Sequence, residues 1–312
     1  MDIKHLASLV AIADHGSFSA AAKSLYTVQS NVSAHIARLE RELGSTLVDR
    51  NSGALTDEGE IVLERARRIL REIEDIPADL TALDDQITGS TRLGVLSTTA
   101  RWVMPPVLSA MASRYPDVHV TVHEGSSTTL VPRVLEGQLD AAIVHFPLSE
   151  PDLSVEPLFA EDLVLLVHTK HRLSGRNSIS IEELGDHELL LPPAGTAFRR
   201  VLDRVAASKD ITLQAQAEID GVRLLASLAF EGFGASIVPA SAIPQWLEGP
   251  FSRINIVERP QRMVGWVQRK RPTANTATRA IFSVLLETLD AVKPRYSPGI
   301  HRISADANAT TG

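Results

Sequence analysis

The most regular hydrophobic pattern near the start of the chain runs from Gln29 to Leu43. Its apolar positions are four, three and four residues apart, which places them on one face of an α-helix. They are Val32, Ile36, Leu39 and Leu43. The other face carries short polar side chains that suit close approach to base edges and phosphates. A preceding alanine-rich helix over residues 19–25 completes a predicted helix-turn-helix, whose second helix enters the major groove of DNA. An ordinary amphipathic helix pair is the alternative.

Two smaller elements flank this pair. Residues 2–15 predict a first helix, with Asp2 placed to cap its start and Gly16 to end it. A turn signal at residues 51–53 lies between two short extended segments and predicts a small hairpin, or wing, which usually touches the DNA backbone. A plain connecting turn is the alternative. Together these elements predict a DNA-binding domain over residues 1–58.

An apolar stripe with heptad-like spacing follows, from Val62 to Ile87. A single exposed helix would not bury this stripe, so residues 59–88 are expected to form a linker helix that pairs with a second copy. A helix lying on its own chain's core is the alternative. Pro77 lies within the stripe and is expected to kink or interrupt the helix. The residues expected to carry dimerisation are Ile69, Ile73, Ile76, Leu80 and Leu83.

Beyond residues 88–91 the pattern changes to alternating strands and helices. Strands over 92–97, 118–123 and 141–145 with helices between them predict a parallel sheet covered by helices. A second set of elements spans 163–238, and a strand over 263–268 and a helix over 275–291 are expected to return to the first set. Two such lobes form a cleft, and open α/β sheets bind ligands at the carboxyl ends of their strands. We expect this domain over residues 89–292, followed by a disordered polar tail over 293–312.

Composition narrows the classes of function. The 312 residues include 44% apolar and 22% charged residues, as in an ordinary globular protein, and no cysteine. Disulfides, thiolate metal sites and thiol redox sensors are thereby excluded. No secretory signal and no apolar stretch long enough to span a bilayer are visible, so a cytoplasmic protein without a membrane partner is expected. No nucleophile elbow, P-loop or zinc-protease motif is present, so we expect no catalytic residues, no metal site and no cofactor.

The charge balance opposes strong binding to DNA. The net charge is −7, and residues 1–60 hold five Lys or Arg against eight Asp or Glu. DNA affinity must therefore come from local placement of side chains. We expect binding that is weak per half-site, dependent on oligomerisation and lost at raised salt.

Taken together, both halves resemble the LysR-type transcriptional regulators over nearly all of residues 2–292. In the N-terminal half the resemblance is carried by Gly16-Ser17-Phe18, Ala21-Ala22, Leu25, Gln29-Ser30, Val32-Ser33, Ile36, Leu39-Glu40, Leu43-Gly44, Leu47, Arg50, Leu55-Thr56 and Gly59. Weaker marks in the C-terminal half are Tyr115-Pro116-Asp117-Val118, Glu124-Gly125, residues 137–143, Gly232-Phe233-Gly234 and Ile237-Val238-Pro239.

This resemblance implies an N-terminal all-α winged helix-turn-helix with a long linker helix. It also implies an α/β two-lobed effector domain resembling type 2 periplasmic binding proteins. The implied function is a homotetrameric, ligand-responsive regulator that binds an interrupted palindrome in promoter DNA as a dimer of dimers, with RNA polymerase as a further partner. A solute-binding protein of a transport system and an enzyme built on the α/β lobes are the alternatives. Residues 1–88 and the missing signal peptide speak against the first.

Three positions depart from the family's pattern. The family usually has Ser or Thr before Gln29, where this chain has Val28, and losing that cap costs about 1 kcal/mol unless Thr27 substitutes. The wing between Arg50 and Leu55 is short and lacks a common second arginine. Pro77 is unusual in the linker helix.

The resemblance also identifies candidate site residues. Those expected to contact DNA are Gln29, Ser30, Asn31, Ser33, Ala34, Arg38 and, on the backbone, Arg50. Arg38 has an alternative role in an i,i+4 pair with Glu42. Those expected to bind the effector are Ser97, Thr98, Thr99, Ser127, Thr128, His145, Thr196 and Phe198. Clustered hydroxyls at helix N-termini suit an anion such as an organic acid, although simple capping, or a structural role for His145, is the alternative.

Overall fold

A computed structural model describes residues 1–50, 52–81, 86–271, 274–291 and 298–303, with the side chains of residues 78–79 excepted. The chain divides into two compact units near residue 89. Among the described residues, no helix combines the length and the apolar character needed to cross a membrane.

The first unit contains the predicted helix-turn-helix. Its helices are α1 (Ile3–His15), α2 (Phe18–Ser24), α3 (Gln29–Leu43) and α4 (Asp57–Thr81). The Asp2 side chain accepts a hydrogen bond from the Lys4 amide at 3.1 Å, and Gly16 ends α1 with φ of 73°. Val48 and Leu55 pair through one antiparallel bridge, which forms the wing. Apolar side chains from all four helices pack into one core.

The apolar stripe of α4 has two parts with different surroundings. Ala66 is buried and Val62 packs against the core of this unit, so the start of the stripe lies on its own chain. From Ile69 onward the stripe is exposed, with 37–60% of the surface of each side chain accessible at Ile69, Ile73, Ile76 and Leu80. The stripe is therefore not one continuous seam for a partner. Pro77 is expected to kink or interrupt the helix, and it does not interrupt it, because α4 continues to Thr81. Leu83 lies outside the described residues.

The second unit has alternating strands and helices in two lobes. In chain order its elements are β1 (Gly89–Leu96), α5 (Ser97–Arg114), β2 (Val118–Gly125), α6 (Ser127–Leu135), β3 (Ala141–Phe146), β4 (Leu153–His168), β5 (Ser178–Ile179), α7 (Ile181–Leu184), β6 (Glu188–Leu191), α8 (Ala197–Ala207), β7 (Gln214–Glu218), α9 (Val222–Phe230), β8 (Ala235–Pro239), β9 (Phe251–Ile256), β10 (Gln261–Arg269), α10 (Thr276–Ala291) and β11 (Ile300–Arg302).

The strand β4 belongs to both lobes. Residues 153–162 pair with β10 in the first lobe, whose strand order is β2-β1-β3-β10-β4. Residues 163–168 pair with β8 and β9 in the second lobe, where the order continues β4-β8-β6-β7. The expected return of the 263–268 segment to the first lobe occurs, but β10 runs antiparallel to β3, so the first sheet is mixed rather than purely parallel.

The C-terminal tail contains a strand that its composition did not predict. Ile300–Arg302 pair antiparallel with β4, with Ile300 opposite Glu161 and Arg302 opposite Phe159. The expectation of disorder over 293–312 is therefore wrong for these residues. The physical reason is that the edge of β4 offers backbone hydrogen bonds and Ile300 becomes buried, neither of which depends on local composition. The remainder of the tail, residues 293–297 and 304–312, lies outside the described residues.

Candidate DNA-binding surface and effector cavity

The helix α3 buries one face and exposes the other, as its pattern predicts. Val32, Ile36 and Leu39 are fully buried in the core of the first unit. The predicted DNA contacts that lie exposed on α3 are Gln29, Ser30, Asn31, Ala34 and Arg38, with Ser33 half-buried beside them. The exposed face therefore carries hydrogen-bonding groups that can reach base edges and phosphates.

Arg50 is held by its own chain. Its guanidinium donates to Ser33 Oγ at 3.0 Å and to Glu40 Oε2 at 2.7 Å, and it lies 5.3 Å from the centre of the Phe18 ring. The other carboxylate oxygen of Glu40 accepts from the backbone amides of Leu47 and Val48. This network fastens the wing to α3. It also balances the charge of Arg50, which weakens the predicted contact to phosphate.

Two other predicted features of α3 have clear geometry. Arg38 Nε lies 3.5 Å from Glu42 Oε1, which is the i,i+4 pair considered as an alternative. Val28 makes no capping hydrogen bond at the start of α3. Thr27 does not replace that cap, and its hydroxyl instead accepts from the Asn31 side chain at 3.0 Å. The helix therefore begins without a side-chain cap.

The two lobes of the second unit enclose a cavity of about 340 Å³. Four helices begin at its wall: α5 and α6 from the first lobe, and α8 and α9 from the second. The predicted effector residues found in the lining are Ser97, Thr98, Ser127, Thr128, His145, Thr196 and Phe198. Thr99 is not among the lining residues. It lies one position further along α5 and is fully buried, so its expected place in the site is wrong.

The floor of the cavity contains a buried cation that the sequence reasoning missed. The Arg262 side chain, only 1% exposed, donates from Nε to Glu161 Oε2, from Nη1 to His145 Nε2 and from Nη2 to Thr98 Oγ1, at 2.7, 2.8 and 2.7 Å. Glu161 is fully buried, and its second oxygen accepts from the Ser241 amide at 2.6 Å. The ion pair thus joins the first lobe to the turn that follows β8 in the second.

The surroundings of His145 determine its protonation state and its tautomer. Burial, and then the charge of Arg262, lower the pKa of His145 well below 6.5, so the ring is neutral. Arginine has no acceptor, so Nε2 must accept from Arg262 and the ring proton must lie on Nδ1. That nitrogen is buried and has no hydrogen-bond partner among the described residues. His145, which lines the cavity, therefore has one unused N–H donor.

The helix starts around the cavity differ in their caps. Thr196 Oγ1 accepts from the Arg199 amide at the start of α8, and Ser126 Oγ accepts from the Thr129 amide at the start of α6. Neither α5, which follows Leu96, nor α9, which follows Gly221, has a side-chain cap. Each lobe therefore presents one capped and one uncapped helix start. For Thr196 the capping role, weighed as the alternative, is what the geometry shows.

Comparison with known proteins decides the family. Residues 3–60 match the family model described as bacterial regulatory helix-turn-helix protein, lysR family, and residues 84–290 match the LysR substrate binding domain. The chain belongs to the LysR family of transcriptional regulators. As in that family, a DNA-binding domain is joined to an effector-binding domain, and the family match over the first domain leaves no support for a transport protein.

Relatives of this LysR-family regulator include two probable hydrogen peroxide-inducible genes activators. The one from Streptomyces viridosporus is 32% identical over 77% of this chain and 78% of its own length, and the one from Mycobacterium avium is 30% identical over 93% and 94%. A full-length OxyR variant from Pseudomonas aeruginosa superimposes with a TM-score of 0.73 at 24% identity, covering 93% of this chain and 94% of that one. CbnR bound to its target DNA gives 0.68 at 24% identity, covering 93% and 99%. At these identities the two structures show the shared fold.

The solved OxyR protein from Pseudomonas aeruginosa carries a substitution at a cysteine. This LysR-family regulator has no cysteine, so no thiol of its own chain can sense an oxidant. The residues that sequence reasoning missed, Glu161 and Arg262, lie in neighbouring strands and face each other in register. No local pattern singles them out, because β4 also contains Glu156 and Asp162 and β10 also contains Arg269.

Proposed function

We propose that this regulator binds promoter DNA through the exposed face of α3 and is switched by a small anionic molecule, such as an organic acid, bound in the cavity. The observation that carries the proposal is the meeting of four helix N-termini around His145, whose Nδ1–H is unused. Each helix N-terminus has a partial positive charge, and the starts of α5 and α9 also have amide donors without a side-chain cap, which favours an anion.

The hydroxyl groups of the floor support the same ligand chemistry. Thr98 Oγ1 accepts from Arg262, and Ser127 Oγ accepts from the His145 amide at 2.9 Å, so both hydroxyl hydrogens remain to be donated. The charge of Arg262 is already balanced by Glu161. The cavity therefore attracts its ligand through oriented donors rather than through a net positive charge. A compact carboxylate satisfies several such donors at once.

Titration with matched ligands tests this proposal. Small carboxylic acids and their neutral carboxamides are added to the full chain while tryptophan fluorescence is followed, since Trp102 lies on α5, whose start lines the cavity. We expect saturable changes with some carboxylates and none with the matching amides. Ser97→Ala removes a hydroxyl from the uncapped start of α5 and is expected to weaken binding, whereas Ser208→Ala at the far end of α8 is the control. Equal binding of amides, or none of acids, would contradict the proposal.

The exposed part of the α4 stripe supports assembly into dimers and then tetramers that bind an interrupted palindrome. Four large apolar side chains on one helix are covered when a second copy pairs with it. Sedimentation of Ile76→Asp is expected to show a smaller species than the unmodified chain. Ile61→Asp is the matched control, because Ile61 is 66% exposed on the same helix but lies outside the stripe. An unchanged species for Ile76→Asp would remove this part of the proposal.

Gel retardation with DNA from upstream of the chain's own gene tests the DNA-binding surface. Retention is expected to be sensitive to salt, because phosphate contacts release counterions. Replacing Arg38 and Ser33 together by alanine is expected to abolish retention while leaving the assembly intact. Normal retention by this double variant would show that α3 is not the recognition helix.

A further inference from the structure

We propose that Val28 reads the 5-methyl group of a thymine in the major groove, and so adds base specificity to the recognition helix. Val28 lies at the start of α3 with 59% of its surface exposed. Its side chain is absent from the core of the first unit. An exposed apolar side chain at a position that favours Ser, Thr, Asn or Asp gains neither a cap nor burial within the chain.

The neighbouring residues make this apolar surface part of the DNA-facing end of α3. Tyr26, in the turn between α2 and α3, is 99% exposed and has φ of 52°, an uncommon conformation for a bulky residue. Gln29 and Asn31 are exposed beside Val28. The turn therefore presents apolar groups next to amide side chains, at the end of the helix that contacts base edges in helix-turn-helix proteins.

The chemistry of the major groove identifies the partner. Each base pair presents donors and acceptors there, and thymine alone presents a methyl group. The amides of Gln29 and Asn31 match the donors and acceptors, with adenine as their usual partner. The methyl groups of Val28 match thymine. Burying them against a base removes from water the surface that the folded chain leaves exposed, which offsets the missing cap.

Two substitutions of Val28 test this assignment, and a substitution of the neighbouring Thr27 is the matched control. Val28→Thr has nearly the same shape as valine, exchanges one methyl for a hydroxyl and can cap α3. Val28→Ser caps without any methyl. Both variants are expected to melt at a higher temperature than the unmodified chain and thus to remain folded. Thr27→Val is the control, since it removes the neighbouring hydroxyl that holds Asn31 without changing position 28.

The experiment uses duplexes selected from a random pool by the full chain. Each thymine in a selected site is replaced in turn by uracil, which lacks only the methyl group. For the unmodified chain we expect one position per half-site at which uracil weakens binding about fourfold, equivalent to about 0.8 kcal/mol for one methyl group. Val28→Ser is expected to lose this discrimination, and Thr27→Val to keep it.

The inference rests on α3 being the recognition helix, and the experiment separates the two claims. If the full chain selects no sequence, the proposed function fails. If it selects a sequence but no thymine shows a uracil penalty, the assignment of Val28 fails and α3 is unaffected. A penalty that persists unchanged in Val28→Ser also overturns the assignment, because another residue must then read the methyl group.

Discussion

Two arginine–glutamate pairs in this regulator have the same 2.7 Å separation but opposite surroundings. The side chains of Arg50 and Glu40 in the DNA-binding domain are 43% and 15% exposed, whereas those of Arg262 and Glu161 in the effector domain are 1% and 0% exposed. Water screens the first pair, which is worth little net energy. The second pair has lost its hydration and depends on every remaining hydrogen bond. Burial and complete hydrogen bonding, rather than distance, set the energy of such a pair.

The difference matches what each domain does. An exposed pair can exchange its carboxylate for another anion at small cost, which is compatible with the proposed contact between Arg50 and a DNA phosphate. A buried pair cannot exchange partners without leaving a buried charge without a partner. Arg262 therefore keeps His145 in one tautomer and Thr98 in one orientation, so that a ligand meets a preformed arrangement of donors.

Removing the charge of Glu161 has the largest expected effect. Glu161→Gln leaves Arg262 buried without a counter-charge, so the free energy of unfolding of the effector domain is expected to fall by about 3–5 kcal/mol. Urea denaturation followed by tryptophan fluorescence measures this, because Trp102, Trp246 and Trp266 all lie in that domain and are the only tryptophans of the chain. A loss of unfolding free energy below about 1 kcal/mol, which is typical of an exposed pair, would contradict the difference between the buried and the exposed pair.

Arginine-to-lysine changes compare the two sites directly. Lysine at position 262 cannot reach Glu161, His145 and Thr98 together, and the loss of a buried charged hydrogen bond is expected to cost about 2 kcal/mol of unfolding free energy. Arg50→Lys is expected to cost less than about 0.5 kcal/mol. Thermal melts followed by circular dichroism report both variants. Equal losses would mean that the geometry of the guanidinium matters as much at the surface as in the interior.

The lowered pKa of His145 predicts acid sensitivity of the effector domain. Below pH 6.5 the His145 ring binds a proton in the unfolded chain but not in the folded one. The contribution of this ring to the free energy of unfolding is therefore complete above that pH and decreases below it. The slope from one such group approaches about 1.4 kcal/mol per pH unit. His145→Gln is expected to have a shallower loss between about pH 6.5 and pH 5. Some slope remains from His123, His171 and His187, whose pKa values burial also lowers. An unchanged slope would place the acid sensitivity elsewhere.

The expected effect on stability is also small at Glu40. Glu40→Gln keeps an oxygen for the amides of Leu47 and Val48 but removes the charge, so the unfolding free energy changes by less than about 1 kcal/mol. DNA binding is expected to tighten, with the logarithmic salt slope steeper by about 0.9, because Arg50 gains a phosphate. Fluorescence anisotropy at several salt concentrations measures this. Glu60→Gln, at an exposed carboxylate on α4, is the control for net charge, and an equal change there would contradict a specific role for Arg50.

The elements that the sequence predicted best are those with strong local signals. The bounds of α3 follow from its apolar spacing and from Gly44, and α1 follows from Asp2 and Gly16. The strand β7 was missed because all of Gln214–Glu218 is exposed, so no apolar alternation marks it. The strand β11 was missed because its order comes from pairing with β4, which lies about 140 residues earlier in the chain.

The sequence predicted the residues at the rim of the cavity but missed the ion pair of its floor. Hydroxyl residues at helix starts are visible in the sequence because capping has a local pattern. The contacts of Arg262 with Glu161, His145 and Thr98 span from 101 to 164 residues of sequence, and a single sequence contains no signal for their register. Thr99 was included with Ser97 and Thr98 because the resemblance places a pocket at this stretch, although neighbouring helix positions point about 100° apart.

Because β4 belongs to both sheets, the two lobes are completed at different times during synthesis of the chain. The second lobe is encoded without interruption by residues 163–256, but the first lobe needs β10, α10 and β11, which are synthesised after the second lobe. At about 5–20 residues per second, β4 waits about 5–20 s for the strand that brings Arg262 to Glu161. During that interval one edge of β4 is unpaired in the nascent chain, and Glu161 lacks its partner Arg262. The first lobe is therefore completed only after the whole of the second lobe has been synthesised.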